Sequence, residues 1–341
     1  MRDMTETAEG TLRMPRAWSG PHRQTLRRHV LRDAPPMPAG AERIDVHLPD
    51  GDVLAVSVNW PRIDPGAPLT LPLAVVVHGL GGSAQSPTVR ATARHLHDLG
   101  FGVARVDMRG CGDSSTTTRG AHHAGRSADL AAVLDHLSAV RPELCAAGVV
   151  LVGISLGGVL VLNLLGGQAA TVARVRAAAT VSAPLDLVDA AAGLARPRAW
   201  GYRQVMLRSA KRQILRPAAA LTRGERARIA DARSFAELDD VFIAGAAGYA
   251  GAYAYWRGES PLQRLHAIGV PTLAVHAADD PVIVDGTYAR AGTVASGAAV
   301  TLELNDWGGH AGFHAAGDPV AWADRRIASF LRGVLFEGTP L

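Results

Sequence analysis

Ser155, Asp280 and His310 follow one another in an order that suits acyl-transfer chemistry. The serine stands in Gly153-Ile154-Ser155-Leu156-Gly157-Gly158, a G-x-S-x-G sequence. The acid stands in Ala277-Ala278-Asp279-Asp280-Pro281, and the histidine in Trp307-Gly308-Gly309-His310-Ala311-Gly312-Phe313. In such a set the imidazole takes the hydroxyl proton as Oγ attacks a carbonyl carbon, then gives it to the leaving alcohol. The carboxylate fixes the ring's tautomer and stabilises its charge. The oxyanion that forms needs N–H donors, for which the Leu156 and Leu80 amides are the candidates. No metal or organic cofactor is required. Each member alone is weak: G-x-S-x-G is short, a single histidine is usually structural, and Asp-Asp-Pro often opens a helix. The order serine, acid, histidine, each at a strand end, carries the reading. Asp279 stays open as the alternative acid, because one residue of register decides which carboxylate faces His310.

The elements that must position these groups are written around them. Gly148-Val149-Val150-Leu151-Val152 reads as a buried strand and Val159 to Leu165 as a helix, so Ser155 falls on the sharp turn between them. A rival reading is a membrane span, since no residue from Leu144 to Ala173 is charged. Glycines at 148, 153, 157, 158, 166 and 167 break that run, and a parallel sheet covered on both faces also needs continuous apolar strands. Leu73 to Val77 is a second buried strand, ending in His78-Gly79-Leu80-Gly81-Gly82-Ser83, where glycines let the backbone fold over a pocket. His78 alone would merely turn the chain, and Ser155 downstream favours the oxyanion role. Gly102 to Asp107, Val175 to Val181, Pro271 to His276 and Ala299 to Leu304 read as further strands, with helices around 92–99, 126–140 and 320–335. Asp50-Gly51 between two alternating runs reads as a hairpin. The expected fold class is α/β: a mostly parallel, doubly wound sheet with an antiparallel N-terminal hairpin and a helical cap insertion.

The expected organisation is an arm over 1–40, a core over 41–184, a cap over 185–261 and the rest of the core over 262–341. Pro61, Pro65, Pro68 and Pro72 form a connector within the first core segment. The cap segment carries Arg196, Arg198, Arg203, Arg208, Lys211, Arg212, Arg216, Arg223, Arg226 and Arg228. This basic face could contact an anionic membrane surface or collect acidic substrates, although a solvated arginine face is the commoner meaning. Tyr249, Tyr253, Tyr255 and Trp256 read as cap packing. Asp107 and Arg109 are assigned a bracing role through an Asp–Arg pair. Adjacent His122 and His123 lack the i, i+4 spacing of helical metal ligands.

A composition of 48% hydrophobic and 19% charged residues fits a globular chain, and the net charge of +4 carries no nucleic-acid motif with it. Only Cys111 and Cys145 are present and no basic-then-apolar leader precedes Arg13, so the expected compartment is reducing and cytoplasmic.

Several stretches together resemble the YheT-like subfamily of α/β-hydrolases: His22-x-Gln24-Thr25, His78-Gly79-Leu80-x-Gly82-Ser83-x-x-Ser86-Pro87, Arg109-Gly110-Cys111, Ser155-Leu156-Gly157-Gly158, Ser182-Ala183-Pro184, Asp279-Asp280-Pro281 and Gly308-Gly309-His310-x-Gly312-Phe313. The resemblance covers nearly the whole chain. It implies Ser155, Asp280 and His310 as the charge relay, the aspartate being the one before proline. It further implies an ester hydrolase acting on short- to medium-chain acyl esters or lipids. Gly81, where bacterial relatives carry an acidic residue, and Val284, where many have proline, depart from the pattern. Acyl transfer to an alcohol, or a binding module that has lost turnover, are the competing functions.

Overall fold

The computed structural model describes residues 19–31, 34–61, 70–167, 172–216, 218–283 and 286–336. The arm's first 18 residues, the connector's Pro65 and Pro68, and Val284 lie outside them. Eight strands form one sheet: β1 (Glu42–His47), β2 (Val53–Asn59), β3 (Leu73–Val77), β4 (Val103–Val106), β5 (Val149–Ile154), β6 (Val175–Val181), β7 (Thr272–Ala277) and β8 (Val300–Asn305). Their order is β1-β2-β4-β3-β5-β6-β7-β8. β1 and β2 form the expected hairpin around Asp50-Gly51, and β2 also runs antiparallel to β4. From β4 to β8 every pairing is parallel. This is an α/β-hydrolase architecture.

Period-2 alternation divides the strand side chains between two cores. On β3, Leu73, Val75 and Val77 face one core while Ala74 and Val76 face the other; on β5, Val149 and Leu151 separate from Val150, Val152 and Ile154 in the same way. The first face is covered by α3 (Ser127–Val140) and α4 (Leu156–Leu165), through Leu130, Leu134, Leu160 and Leu164. The second is covered by α2 (Pro87–Asp98) and the helix Trp322–Phe336, through Val89, Leu96, Ile327 and Leu331. Being apolar on both faces, β5 and α4 account for the uncharged run. Burying one such leucine contributes about 1.5–3 kcal/mol. Among the described residues no helix is long and apolar enough to cross a membrane.

The chain turns back on itself between β3 and β5: β4 lies on one side of β3, and β5 returns on the other. In open sheets ligands gather beyond the strand ends at such a reversal. Val77 at the end of β3 pairs with Gly153, so His78-Gly79 and Ile154-Ser155 leave the sheet side by side.

Between β6 and β7 the chain forms helices Leu187–Ala195, Trp200–Ile214, Arg223–Asp231 and Ala252–Glu259, with one π-helical turn at Asp239–Ile243. Their buried faces, including Leu207, Ile214, Ile229, Leu238 and Tyr255, make a separate apolar cluster that reaches Ala121, Ala124 and Val159 of the core. The basic residues here are partly drawn into the structure. Arg216 donates to the carbonyls of Ser115, Thr118 and Gly120, Arg226 to those of Leu215 and Ala219, and Arg203 to those of Leu194 and Ala195.

Arg109 also differs in its partners from the expected Asp107–Arg109 pair. Its guanidinium is buried against Asp50, Asp52 and Asp129, tying the hairpin turn to α3. Asp107 instead accepts the Ala84 and Asp113 amides at 2.6 and 3.0 Å. Both residues brace, with separate partners.

Candidate active site

Ser155 has φ 53° and ψ −118°, a conformation that L-residues rarely adopt, and its amide is held by the Val181 carbonyl at 2.9 Å. Two glycines make the turn sterically feasible. A Cβ on Gly157 would come within 2.6 Å of the His78 carbonyl oxygen, and one on Gly153 within 2.5 Å of the Gly158 Cα. Nothing larger than hydrogen fits at either place. Leu156 opens α4, so its N–H has no partner within the helix.

The His310 ring reaches the serine from the loop after β8. Its Nε2 lies 3.0 Å from Ser155 Oγ, and its Nδ1 lies 2.8 Å from Asp280 Oδ2. The other oxygen of Asp280 accepts the Val282 and Ile283 amides at 2.7 and 2.9 Å, so the carboxylate is both buried and satisfied. Burial by itself would raise this carboxyl. The His310 charge, its hydrogen bond, His276 and the Ile283 amide outweigh it and hold Asp280 below the ordinary carboxylate range. Asp279 points elsewhere: its Oδ1 accepts the Gly309 amide at 2.8 Å, and burial pushes its carboxyl up. The two neighbouring acids therefore divide the work, with Asp280 on the ring and Asp279 on the loop.

His78 is buried and neutral. Its Nδ1 is 2.8 Å from the Gly79 carbonyl, and its Nε2 accepts the Met108 amide at 3.1 Å; burial lowers it to about 3. The Gly79 carbonyl also accepts the Gly82 amide at 3.1 Å. In a trans peptide the N–H points opposite to the carbonyl, so fixing that oxygen also fixes the direction of the Leu80 N–H. Gly79 lies against the serine, where a Cβ would be 3.0 Å from Ser155 Cβ.

A cavity of about 850 Å³, counted out to its open mouth, lies over Ser155, with Leu80 and Leu156 in its wall beside the serine. Leu187, Leu194, Met206 and Ile214 supply apolar lining from the segment between β6 and β7. His122 and His123 also line this cavity. Among the described residues no cluster of His, Cys, Asp and Glu could hold a metal ion.

The sequence reading missed how the His310 loop is held. The arm contains α1 (Pro21–Leu31), whose Thr25 Oγ1 accepts the His310 amide at 2.8 Å and donates to the Pro21 carbonyl at 2.7 Å. Gln24 is fully buried, and its side chain accepts from the His314 amide and donates to the His314 carbonyl. Only the His22-x-Gln24-Thr25 stretch signalled this, and it gave no hint of the partner. Ser182, Ala311 and Phe313 join Ser155 as the non-glycine residues with positive φ among the described ones, and Ser182 Oγ accepts the Ala311 amide at 3.0 Å. Backbone strain is thus gathered around the serine and histidine turns.

Residues 72–313 match the family described as alpha/beta hydrolase fold. The chain belongs to that family. It is 29% identical over 321 residues to the "Putative esterase YheT" of Escherichia coli, covering 93% of this chain and 91% of that one. It is 28% identical over 313 residues to the medium-chain fatty acid ethyl ester synthase/esterase 2 of Saccharomyces cerevisiae, covering 80% and 67%. The Pyrococcus furiosus esterase Pf2001 superposes with a TM-score of 0.57 at 17% identity, over 88% of this chain and 96% of that chain, a likeness of fold. This member of the family is therefore a hydrolase.

Proposed function

We propose that the protein is a serine-dependent carboxylic ester hydrolase acting on short- to medium-chain acyl esters. The observation that carries this reading is the continuous relay from Ser155 Oγ through His310 to the buried Asp280, opening into an apolar cavity. His310 Nε2 takes the Ser155 proton as Oγ bonds to the ester carbonyl carbon. The resulting oxyanion is met by the Leu156 N–H at the start of α4 and by the Leu80 N–H, whose peptide His78 orients. Asp280, held ionised, stabilises the imidazolium and keeps Nδ1 protonated. The C–O bond to the alcohol then breaks as His310 returns the proton to the leaving oxygen. Water, deprotonated by His310, attacks the acyl-enzyme and releases the acid and the free serine.

The apolar wall also favours a second outcome of the same intermediate, capture by an alcohol when water is kept out. Both are read in one experiment: fluorophosphonate labelling of wild type, Ser155→Ala and His310→Ala, with a p-nitrophenyl ester series run with and without an alcohol acceptor. Labelling confined to wild type, and turnover lowered by roughly 10⁴- to 10⁶-fold in either variant, supports the mechanism. New ester in the presence of alcohol identifies transfer. Folded wild type that neither labels nor turns over any ester overturns the reading.

A further inference from the structure

One wall of the cavity over Ser155 is polar in a way that the proposed reaction does not use. Asp239 lines it from the π-helical turn Asp239–Ile243, a rare geometry that often marks functional positions. Its Oδ2 accepts the Trp256 Nε1–H at 2.7 Å, while no group among the described residues hydrogen-bonds its Oδ1. His123 is 5% exposed. Its Nδ1 accepts the Gly125 amide at 3.1 Å, so Nε2 bears the proton, and this buried donor has no partner among the described residues. His122 has the opposite arrangement: Nδ1 lies 3.0 Å from the Arg109 carbonyl and donates to it, leaving Nε2 as a buried acceptor without a partner among the described residues. Tyr255 stands between two of them, edge-on to His123 at 6.1 Å and close enough to Asp239 that the carboxylate adds to what burial does in raising its phenol.

Buried polar atoms without partners are unfavourable, and the two histidine Nε2 atoms are such atoms, while Asp239 Oδ1 in the same cavity lining has no partner among the described residues either. Water serves such atoms while a cavity is open, and an entering chain displaces it. A plain alkyl chain would strip these groups of water and offer nothing in return. A hydroxyl both donates and accepts, so it can answer a carboxylate oxygen and an imidazole N–H together.

We propose that this wall is a specificity subsite, and that the acyl group the enzyme takes carries a hydroxyl seated between Asp239 Oδ1 and His123 Nε2. This rests on the ester-hydrolase reading, because the acyl-enzyme on Ser155 is what places a chain in the cavity. Burial pushes the Asp239 carboxyl up to about 7, so near neutrality it is divided between a form that accepts from a hydroxyl and one that can also donate to it.

The test uses the Ser155→Ala protein, which holds ligand without turnover. It is titrated calorimetrically with N-methyl amides of straight-chain alkanoic acids over a ladder of lengths, and with their ω-hydroxy counterparts. At one length the hydroxy amide is expected to bind roughly tenfold tighter than the plain one. Adding Asp239→Leu should erase that preference and tighten binding of the plain chain. Asp239→Asn keeps the shape and an acceptor for Trp256, and carries the test if the leucine variant does not fold; its preference should fall several-fold. Equal binding of plain and hydroxy chains at every length, or a preference that survives these substitutions, overturns the subsite. Wild-type turnover of the matching p-nitrophenyl esters is read separately. Selective binding without turnover removes only the hydrolase reading, and turnover without hydroxyl selectivity removes only the subsite.

Discussion

The two ends of the proposed relay are built by different means. The serine end is mostly local: a buried strand, a turn between two glycines and a helix start within residues 149–165 carry Ser155, pressed against the end of β3 and tied to β6 by one backbone hydrogen bond. The histidine end is assembled from distant pieces. His310 takes its carboxylate from the turn after β7, its backbone anchor from Thr25 of α1, and its loop geometry from Asp279 on Gly309 and Ser182 on Ala311. A nucleophile held by steric exclusion tolerates little substitution. A base held by a set of hydrogen bonds loses its position in increments.

The sharpest break of this contrast is at the acid. Asp280→Asn removes the group that keeps the His310 tautomer, and kcat should fall on the order of 10⁴-fold with the fold intact, as checked by ester turnover beside circular dichroism. Gly157→Ala attacks the serine end instead. The added methyl meets the Val77 and His78 backbone, so destabilisation of about 3 kcal/mol is expected, read from the urea midpoint, together with a loss of fluorophosphonate labelling. Thr25→Ala is milder: the His310 amide loses its acceptor, kcat should drop roughly tenfold with KM nearly unchanged, and Thr25→Ser should restore it. A Thr25→Ala enzyme with full activity would mean that Asp279, Ser182 and Gln24 hold the loop without help from Thr25.

The same contrast explains what could be read in the sequence. The elbow, the strands and the hairpin are legible because each is encoded over a few neighbouring residues, as apolar periodicity or as glycine where a side chain cannot fit. α1 was not, because it buries Gln24 and Arg28 in place of an apolar stripe, and its partners His314 and Asp324 lie at the far end of the chain. Spacing alone does not distinguish Asp279 from Asp280, for a related reason, and only the family resemblance selects Asp280. Which one meets the ring is set by the turn after β7, where one Asp280 oxygen accepts the 282 and 283 amides and leaves the other for His310. Asp239 belongs to no motif, and it is the π-helical turn that sets it in the cavity wall.

The adjacent acids offer the finest test, since their ionisation acts on stability in opposite directions. Asp280 has a folded pKa below its unfolded value of about 3.9, so its contribution is fully present above that pH and is lost as pH falls through the lower folded value. Asp279 has a raised folded pKa, so its unfolded form ionises first and stability declines as pH rises from about 4 through the folded value. Urea midpoints should therefore show Asp280→Asn losing stability relative to wild type at neutral pH, with the deficit shrinking below about pH 4. Asp279→Asn, which keeps an acceptor for the Gly309 amide, should equal or exceed wild type at neutral pH and lose that advantage on acidification. Its kcat should change no more than roughly tenfold, far less than that of Asp280→Asn, because Asp279 acts on the loop and not on the ring. Reversal of either pH trend would mean that the two carboxylates exchange roles in solution, with Asp279 on the ring and Asp280 on the loop.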